Sequence, residues 1–284
     1  MNYQHAFHAG NFADVHKHAV LARVLAHLRA KPAAFRVIDT HAGAGRYDLL
    51  AAEPTRSGEW HAGIERVWEA ADGRLAPKVR GLLGPYLEAV TACNPDKILR
   101  TYPGSPLIAQ YLLRPQDRLI ACELEPRSAA ALMTALRGDR RAKALLIDGW
   151  TALRAYVPPK ERRGIVLTDP PFEDAGDFMR LSGALATAHR KWPTGIYILW
   201  YPIKVREATE ALARRLQRLA IPGILRSEIM LGPPRADAGL VGSGVIVVNP
   251  PFTLEADLKV LLPALVRILA PHGTHRVDWL TSNR

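Results

Sequence analysis

From residue 35 onward, short runs of β-branched and aliphatic residues alternate with stretches whose apolar positions return every three to four residues. The runs are 35–39 (FRVID), 118–122 (RLIAC), 144–147 (ALLI), 165–168 (IVLT), 196–200 (IYILW), 225–230 (LRSEIM) and 245–248 (VIVV). Helical spacing fills 128–136, 178–190, 205–219 and 254–269 between or after them. This alternation predicts an α/β fold, with helices crossing over a mostly parallel sheet of seven strands.

Three departures refine the picture. Ahead of the first strand, ADVHKHAVLARVLAHLRA reads as an amphipathic helix beginning near Asp14. The 49–116 stretch is far longer than an ordinary strand-to-helix connection and carries helical spacing in WHAGIERVWEAA and VRGLLGPYLEAVTAC. It predicts an inserted helical subdomain at 49–104, with 1–48 and 105–284 forming the sheet domain. The last two strands are joined by LGPPRADAGLVGSG, which has no helical period and predicts an antiparallel pair at the sheet edge.

Ligands of open parallel sheets bind beyond the carboxyl ends of the strands, near the point where strand order reverses. The first strand ends in IDTHAGAGRY, where Gly43 and Gly45 permit a close backbone approach; an ordinary tight turn fits two glycines equally well. The second ends in CELEP, placing Glu123 where an acid can grip both hydroxyls of a ribose. The third ends in IDGW, where Asp148 can accept from an exocyclic amine and the Gly149 N–H can reach a ring nitrogen. The fourth ends in GIVLTDPPFED, and the seventh repeats that ending as GVIVVNPPFTL.

Composition narrows the partner. Lys and Arg number 38 against 27 Asp and Glu, a formal charge of +11, which favours a polyanion such as nucleic acid. The basic residues are dispersed, with local groups at 137–143, 160–163, 204–206 and 214–218, so any nucleic-acid surface must be made by the fold. Cys93 and Cys122 lack C-x-x-C spacing, which indicates neither a disulfide framework nor a cysteine zinc site. With no apolar leader and no run near the roughly 18 apolar residues of a span, the expectation is a cytoplasmic protein without a membrane partner.

The order of these endings (glycine turn, ribose acid, adenine acid, Asp-Pro-Pro-aromatic) resembles the S-adenosylmethionine-dependent amino-methyltransferases. The likeness sharpens in YQHAFHAGNFADVHKH, DTHAGAGRY, YPGSPLIA, CELEP, DGW, TDPPF, GIYILWYP and VVNPPF. Together they resemble the bacterial 23S rRNA adenine-N6 methyltransferases over essentially the whole chain. The resemblance implies a Rossmann-like class I methyltransferase: a seven-stranded, mostly parallel sheet with one antiparallel strand, carrying a helical insertion. It further implies S-adenosyl-L-methionine as cofactor and a specific adenine of 23S rRNA as target, met as naked or early-assembly RNA. The default is a monomer.

Carried onto this chain, the resemblance gives Asp169 as acceptor of an N6–H, Pro170 as a carbonyl acceptor fixed by the two prolines, and Phe172 as a stacking platform. It implies His18 and His41 around the methionine end of the cofactor, Ser105 in the PGSP turn, Glu123 on the ribose, and Asp148 with Gly149 at the adenine. Gly43 lies in the cofactor turn. Lys17 is a further candidate for the methionine carboxylate, on charge alone. Tyr3 resembles the family's RNA-contacting tyrosine. Where many relatives of this chemistry carry Tyr, this chain has Phe172, which keeps stacking and loses any phenolic hydrogen bond.

Six histidines fall within the first 41 residues, but His16 and His18 stand two apart on a helix and point to different faces, so no metal site is expected. Alternatives stay open: an N6-adenine or N4-cytosine DNA methyltransferase, a protein glutamine N5-methyltransferase, or a silent RNA-binding platform. The basic surface disfavours the protein substrate, and the acid of TDPPF disfavours the silent fold. An opposite sheet edge is expected for VNPPF, because an antiparallel strand ends away from the cofactor side.

Overall fold

The computed structural model describes residues 5–174, 176–233 and 239–282, so Tyr3 lies outside the described residues. The strands are β1 (Arg36–Asp39), β2 (Arg46–Asp48), β3 (Thr101–Pro103), β4 (Arg118–Glu123), β5 (Ala142–Leu146), β6 (Gly164–Thr168), β7 (Ile196–Ile203), β8 (Ile224–Met230), β9 (Gly242–Val248) and β10 (Thr274–Thr281). The helices are α1 (Phe12–Arg29), α2 (Ala52–Ser57), α3 (Ile64–Ala71), α4 (Pro77–Ala92), α5 (Ser105–Leu112), α6 (Pro126–Ala135), α7 (Gly149–Tyr156), α8 (Asp177–Lys191), α9 (Arg206–Arg218) and α10 (Leu254–Leu269).

All seven expected strands form and lie in one sheet ordered β10-β8-β9-β7-β6-β1-β4-β5. From β5 to β7 the pairings are parallel, and β9 runs against both β7 and β8. The β8–β9 pair is antiparallel as expected but does not end the sheet, because β10 adds itself antiparallel to β8. Its sequence, THRVDWLT, is polar along the edge and half exposed, so it carries little apolar signal.

Alternation of side chains sends Val37, Ile165, Ile198 and Val247 to one face under α1, α5 and α10. Ile38, Val166, Leu199 and Val248 go to the other face under α7, α8 and α9. With both faces covered, β6 is buried along its whole length, and its ladder stops at Pro170, which has no N–H to offer.

The first helix departs from the amphipathic expectation. Asn11 caps α1 by accepting from the Ala13 and Asp14 N–H groups at 2.9 and 3.0 Å. His16, Lys17 and His18 are then buried in succession, because the sheet covers one side of the helix and α4 and α5 cover the other. An α1 enclosed on all sides keeps polar residues only where they find partners. The stretch 49–104 forms α2, one turn of 3-10 helix at Glu59–Ala62, α3 and α4, and closes with β3 pairing back onto β2. Its Trp60, Ile64, Leu83 and Tyr86 join the same apolar core as α1 and the sheet.

Candidate active site

Register brings the strand ends together. Asp39 lies opposite Ala121 of β4 and Leu167 of β6, so Glu123 and Asp169, each two residues further on, emerge beside the glycine turn that follows β1. Glu123 lies opposite Leu146, which carries Asp148 to the same edge. Thr168 lies opposite Leu199, so Trp200 stands next to Asp169. The structure thereby gathers the residues expected at four successive strand ends at the point where strand order reverses.

Asp169 is not an isolated acid. Its Oδ2 pairs closely with the Lys17 ammonium, which also donates to Asp14 Oδ1 at 2.8 Å. Burial by itself would lower the Lys17 pKa, but the charges of Asp14 and then Asp169 outweigh it and hold the ammonium protonated. Asp14 is fixed in turn by the Gly10 N–H at 2.9 Å and by His5 at 3.2 Å. Lys17 thus faces two carboxylates.

Phe172 takes a left-handed backbone, φ +50°, which a bulky residue adopts at a cost and keeps only where its surroundings impose it. Its ring meets Phe178 at 5.0 Å and Trp200 edge-on at 5.7 Å. The Trp200 indole N–H donates to Ser243 Oγ at 3.0 Å, and that hydroxyl also bonds His16, whose other nitrogen meets Ser227 Oγ at 2.7 Å. His16 therefore serves the sheet side of α1, while His18 points away from it to Tyr102 OH at 2.7 Å.

On the opposite side of β1, Glu123 accepts from three backbone N–H groups, those of Gly43, Leu124 and Glu125, each at 2.8 Å. Gly43 has φ +60°, and a Cβ there would overlap the Tyr47 hydroxyl at 2.2 Å. Ser105 Oγ donates to Asp39 Oδ2 at 2.6 Å. Burial pushes Asp39 up to about 7 against the Ser105 hydrogen bond, and the nearby Asp169 charge adds to the rise. The Thr40 hydroxyl donates to Leu167 O, so the His41 Nδ1–H must donate to Thr40 Oγ, leaving Nε2 as a bare acceptor. Burial lowers His18 to about 3 and His41 to about 4, so both rings stay neutral.

Asp148 caps α7, its Oδ2 accepting from the Thr151 N–H at 2.9 Å and hydroxyl at 2.8 Å. Burial raises its pKa, but these Thr151 bonds prevail and hold it below the ordinary carboxylate range. Its Oδ1 stands 4.0 Å from Arg180. At Gly149 an added Cβ would lie 2.2 Å from Thr40 O and 2.7 Å from the His41 ring, so only glycine lets the two turns approach.

Among the described residues of this region, three buried polar atoms, Asp39 Oδ1, His18 Nε2 and Thr168 Oγ1, have no hydrogen-bond partner. Such atoms are costly unless something completes them, which fits a place built for a polar ligand. Sequence reasoning missed Asp14, Asp39 and Trp200. The D-x-x-K spacing of Asp14 and Lys17 on one helix face was a usable signal. Asp39 ends the apolar run of β1 two residues before His41, and Trp200 lies within the apolar run of β7. Nothing local marks the link of Trp200 to Ser243.

These features define the class, a Rossmann-like methyltransferase with its candidate site at the switch point of the sheet. Over residues 32–281 the chain matches the family described as Ribosomal RNA large subunit methyltransferase D, RlmJ, and it belongs to that family. It is 39% identical over 284 residues to "Ribosomal RNA large subunit methyltransferase J" of Haemophilus influenzae, covering 99% of each chain. The protein of the same description from Escherichia coli is also 39% identical, over 282 residues and 99% of each chain. A Legionella pneumophila crystal structure superposes with a TM-score of 0.88 at 33% identity, covering 95% of this chain and 98% of that one.

Proposed function

We propose that this chain transfers a methyl group from S-adenosyl-L-methionine to the exocyclic N6 of one adenine in 23S rRNA. The observation that carries the proposal is Asp169, following β6 beside the glycine turn and fixed in a lysine pair, with Phe172 in an imposed conformation next to it. The adenine amine is a weak nucleophile because its lone pair is delocalised into the ring. An acceptor fixed before the substrate arrives favours the reactive, pyramidal nitrogen without reorganising.

Asp169 Oδ accepts one N6–H, and the Pro170 carbonyl, held outward by its ring and by Pro171, accepts the other. Asp169, fixed in place by the Lys17 ammonium, orients the amine, and the proton is lost to water after transfer. Phe172 stacks on the base, taken out of its surroundings, and Trp200 backs the Phe172 ring. The cofactor supplies an electrophilic methyl on sulfonium. His41, Ser105 with Asp39, and His18 line its amino-acid end; Gly43 and Glu123 hold the ribose; Asp148 and Gly149 meet the adenine. Lys17 acts on Asp169, and Tyr3 contacts RNA. The RNA is met naked or early in assembly, in the cytoplasm, by a monomer.

Among the described residues no helix is long and apolar enough to cross a membrane. The test is methyl transfer from labelled S-adenosylmethionine to a 23S rRNA transcript, assembled subunits, DNA and a release factor, with the product base identified by mass. Label in N6-methyladenine of the transcript is expected. Label confined to DNA or protein would overturn the proposal.

A further inference from the structure

We infer that the groove between α7 and α8 is a track for the RNA backbone flanking the target nucleotide; this rests on the RNA reading above. A cavity of about 190 Å³ runs between the two helices, walled by Trp150 and Arg154 from α7 and by Arg180 and Lys191 from α8. Its floor is small: Gly183 and Ala184 line it, and a Cβ added at Gly183 would meet nothing within 4 Å. The space above the α8 backbone is therefore open.

The chemistry of the walls selects a polyanion. The Arg180 guanidinium lies over the Trp150 ring at 4.7 Å, which keeps its fork of donors flat and pre-ordered. Its nearest carboxylate, Asp148, stands at 4.0 Å and is already engaged by Thr151, so the cation is only loosely compensated. At the far end Lys191 donates to the Arg154 carbonyl at 2.9 Å, drawing a second positive charge against α7. Phosphates recognised this way contribute position and affinity without reading sequence.

Position ties the groove to the reaction. Phe178, in the first turn of α8, packs against Phe172 at 5.0 Å, so Arg180 marks the end of the groove nearer the base platform. From Arg180 to Lys191 the helix rises about 16 Å, long enough for a run of several phosphates. The basic residues are scattered in sequence, and only the pairing of α7 with α8 aligns them.

Gly183 supplies a test that touches none of the residues assigned to chemistry. Gly183→Glu places an acid in the open floor, and Gly183→Lys makes the same helix-favouring change with the opposite charge. Each is measured for binding to an unmodified 23S rRNA transcript across a salt series, for the KM and kcat of methyl transfer, and for S-adenosylmethionine affinity. The Glu variant is expected to weaken transcript binding and raise the RNA KM by roughly tenfold, with a shallower salt dependence. The Lys variant is expected to match or exceed the native chain, with kcat and cofactor affinity unchanged in both. Equal RNA binding by the Glu and Lys variants would overturn the track. A native chain that transfers no methyl to the transcript, yet loses binding on Gly183→Glu, keeps the track and overturns the function proposed above.

Discussion

Lys17 of α1 and Asp169 at the end of β6 share a buried ion pair although 152 residues separate them. The pair joins the N-terminal helix to the motif that ends the fourth strand of the parallel set, and Asp14 completes it as a triad. The acid of Asp-Pro-Pro-Phe therefore depends on a helix laid down before the first strand.

Replacing Lys17 with Met should remove the counter-charge from the buried Asp14 and the partly buried Asp169. Breaking a buried pair this way costs about 3–5 kcal/mol, so the urea midpoint should fall sharply. Methyl transfer should drop at least a hundredfold even at temperatures where the variant is folded. Asp169→Ala, which removes the acceptor, should abolish transfer with a smaller loss of stability, because Asp14 still holds the ammonium. A Lys17→Met variant as stable and active as the native chain would remove the pair from the mechanism.

Asp39 makes stability depend on pH in an unusual direction. Its folded pKa, raised to about 7 chiefly by burial, lies above the 3.8 of an ordinary aspartate. Between these values the folded chain binds more protons than the unfolded one, so this group's contribution is full below about pH 4 and is lost as pH rises through 7. Relative to Asp39→Asn, the native chain should lose a few kcal/mol of unfolding free energy between pH 5 and pH 8. Urea titrations of both proteins at the two pH values measure the difference. A constant gap would show that Asp39 is ionised throughout.

What the sequence revealed follows from where the signal resides. β4, β6, β7 and β9 were legible because both faces of the sheet are covered there, which makes each a nearly unbroken apolar run, whereas β5 at the edge and β8, with Arg226, Ser227 and Glu228, show only short apolar stretches. The strand-end residues were legible because a parallel sheet delivers all its carboxyl ends to one edge. β2 and β3 are three residues each, too short to show a period, and β10 is a half-exposed edge strand. The enclosure of α1 is a tertiary fact: His16, Lys17 and His18 are polar, and only their partners on β9, just past β6 and on β3 account for their burial.

The Phe172 ring should matter to substrate more than to cofactor. Stacking a base on an aromatic ring is worth about 1–3 kcal/mol, so Phe172→Ala should lower kcat/KM for RNA by roughly tenfold to a hundredfold. Its S-adenosylmethionine affinity should stay near the native value. Phe172→Tyr should keep most of the activity, since the contacts to Phe178 and Trp200 are made by the ring. Calorimetric cofactor titration beside steady-state RNA kinetics separates the two effects. A cofactor affinity that falls as far as kcat/KM would sink the stacking role.

The second Pro-Pro-Phe stretch should behave as structure alone. Val248 lies opposite Tyr197, at the amino end of β7, so Asn249 emerges at the sheet edge opposite Asp169. The Asn249 side-chain amide donates to Pro193 O at 2.6 Å and Gly195 O at 2.8 Å, and its own backbone is left-handed at φ +52°. Asparagine tolerates that conformation better than most residues, and its amide ties the turn ahead of β7 to the end of β9. Asn249→Ala loses both advantages and should destabilise the chain by about 1–3 kcal/mol. Transfer measured well below the melting temperature should keep its native kcat and RNA KM. Asn249→Gly should recover the backbone share of the lost stability, leaving the hydrogen-bond share. Loss of activity in a variant whose melting temperature is unmoved would make the two motifs functional partners.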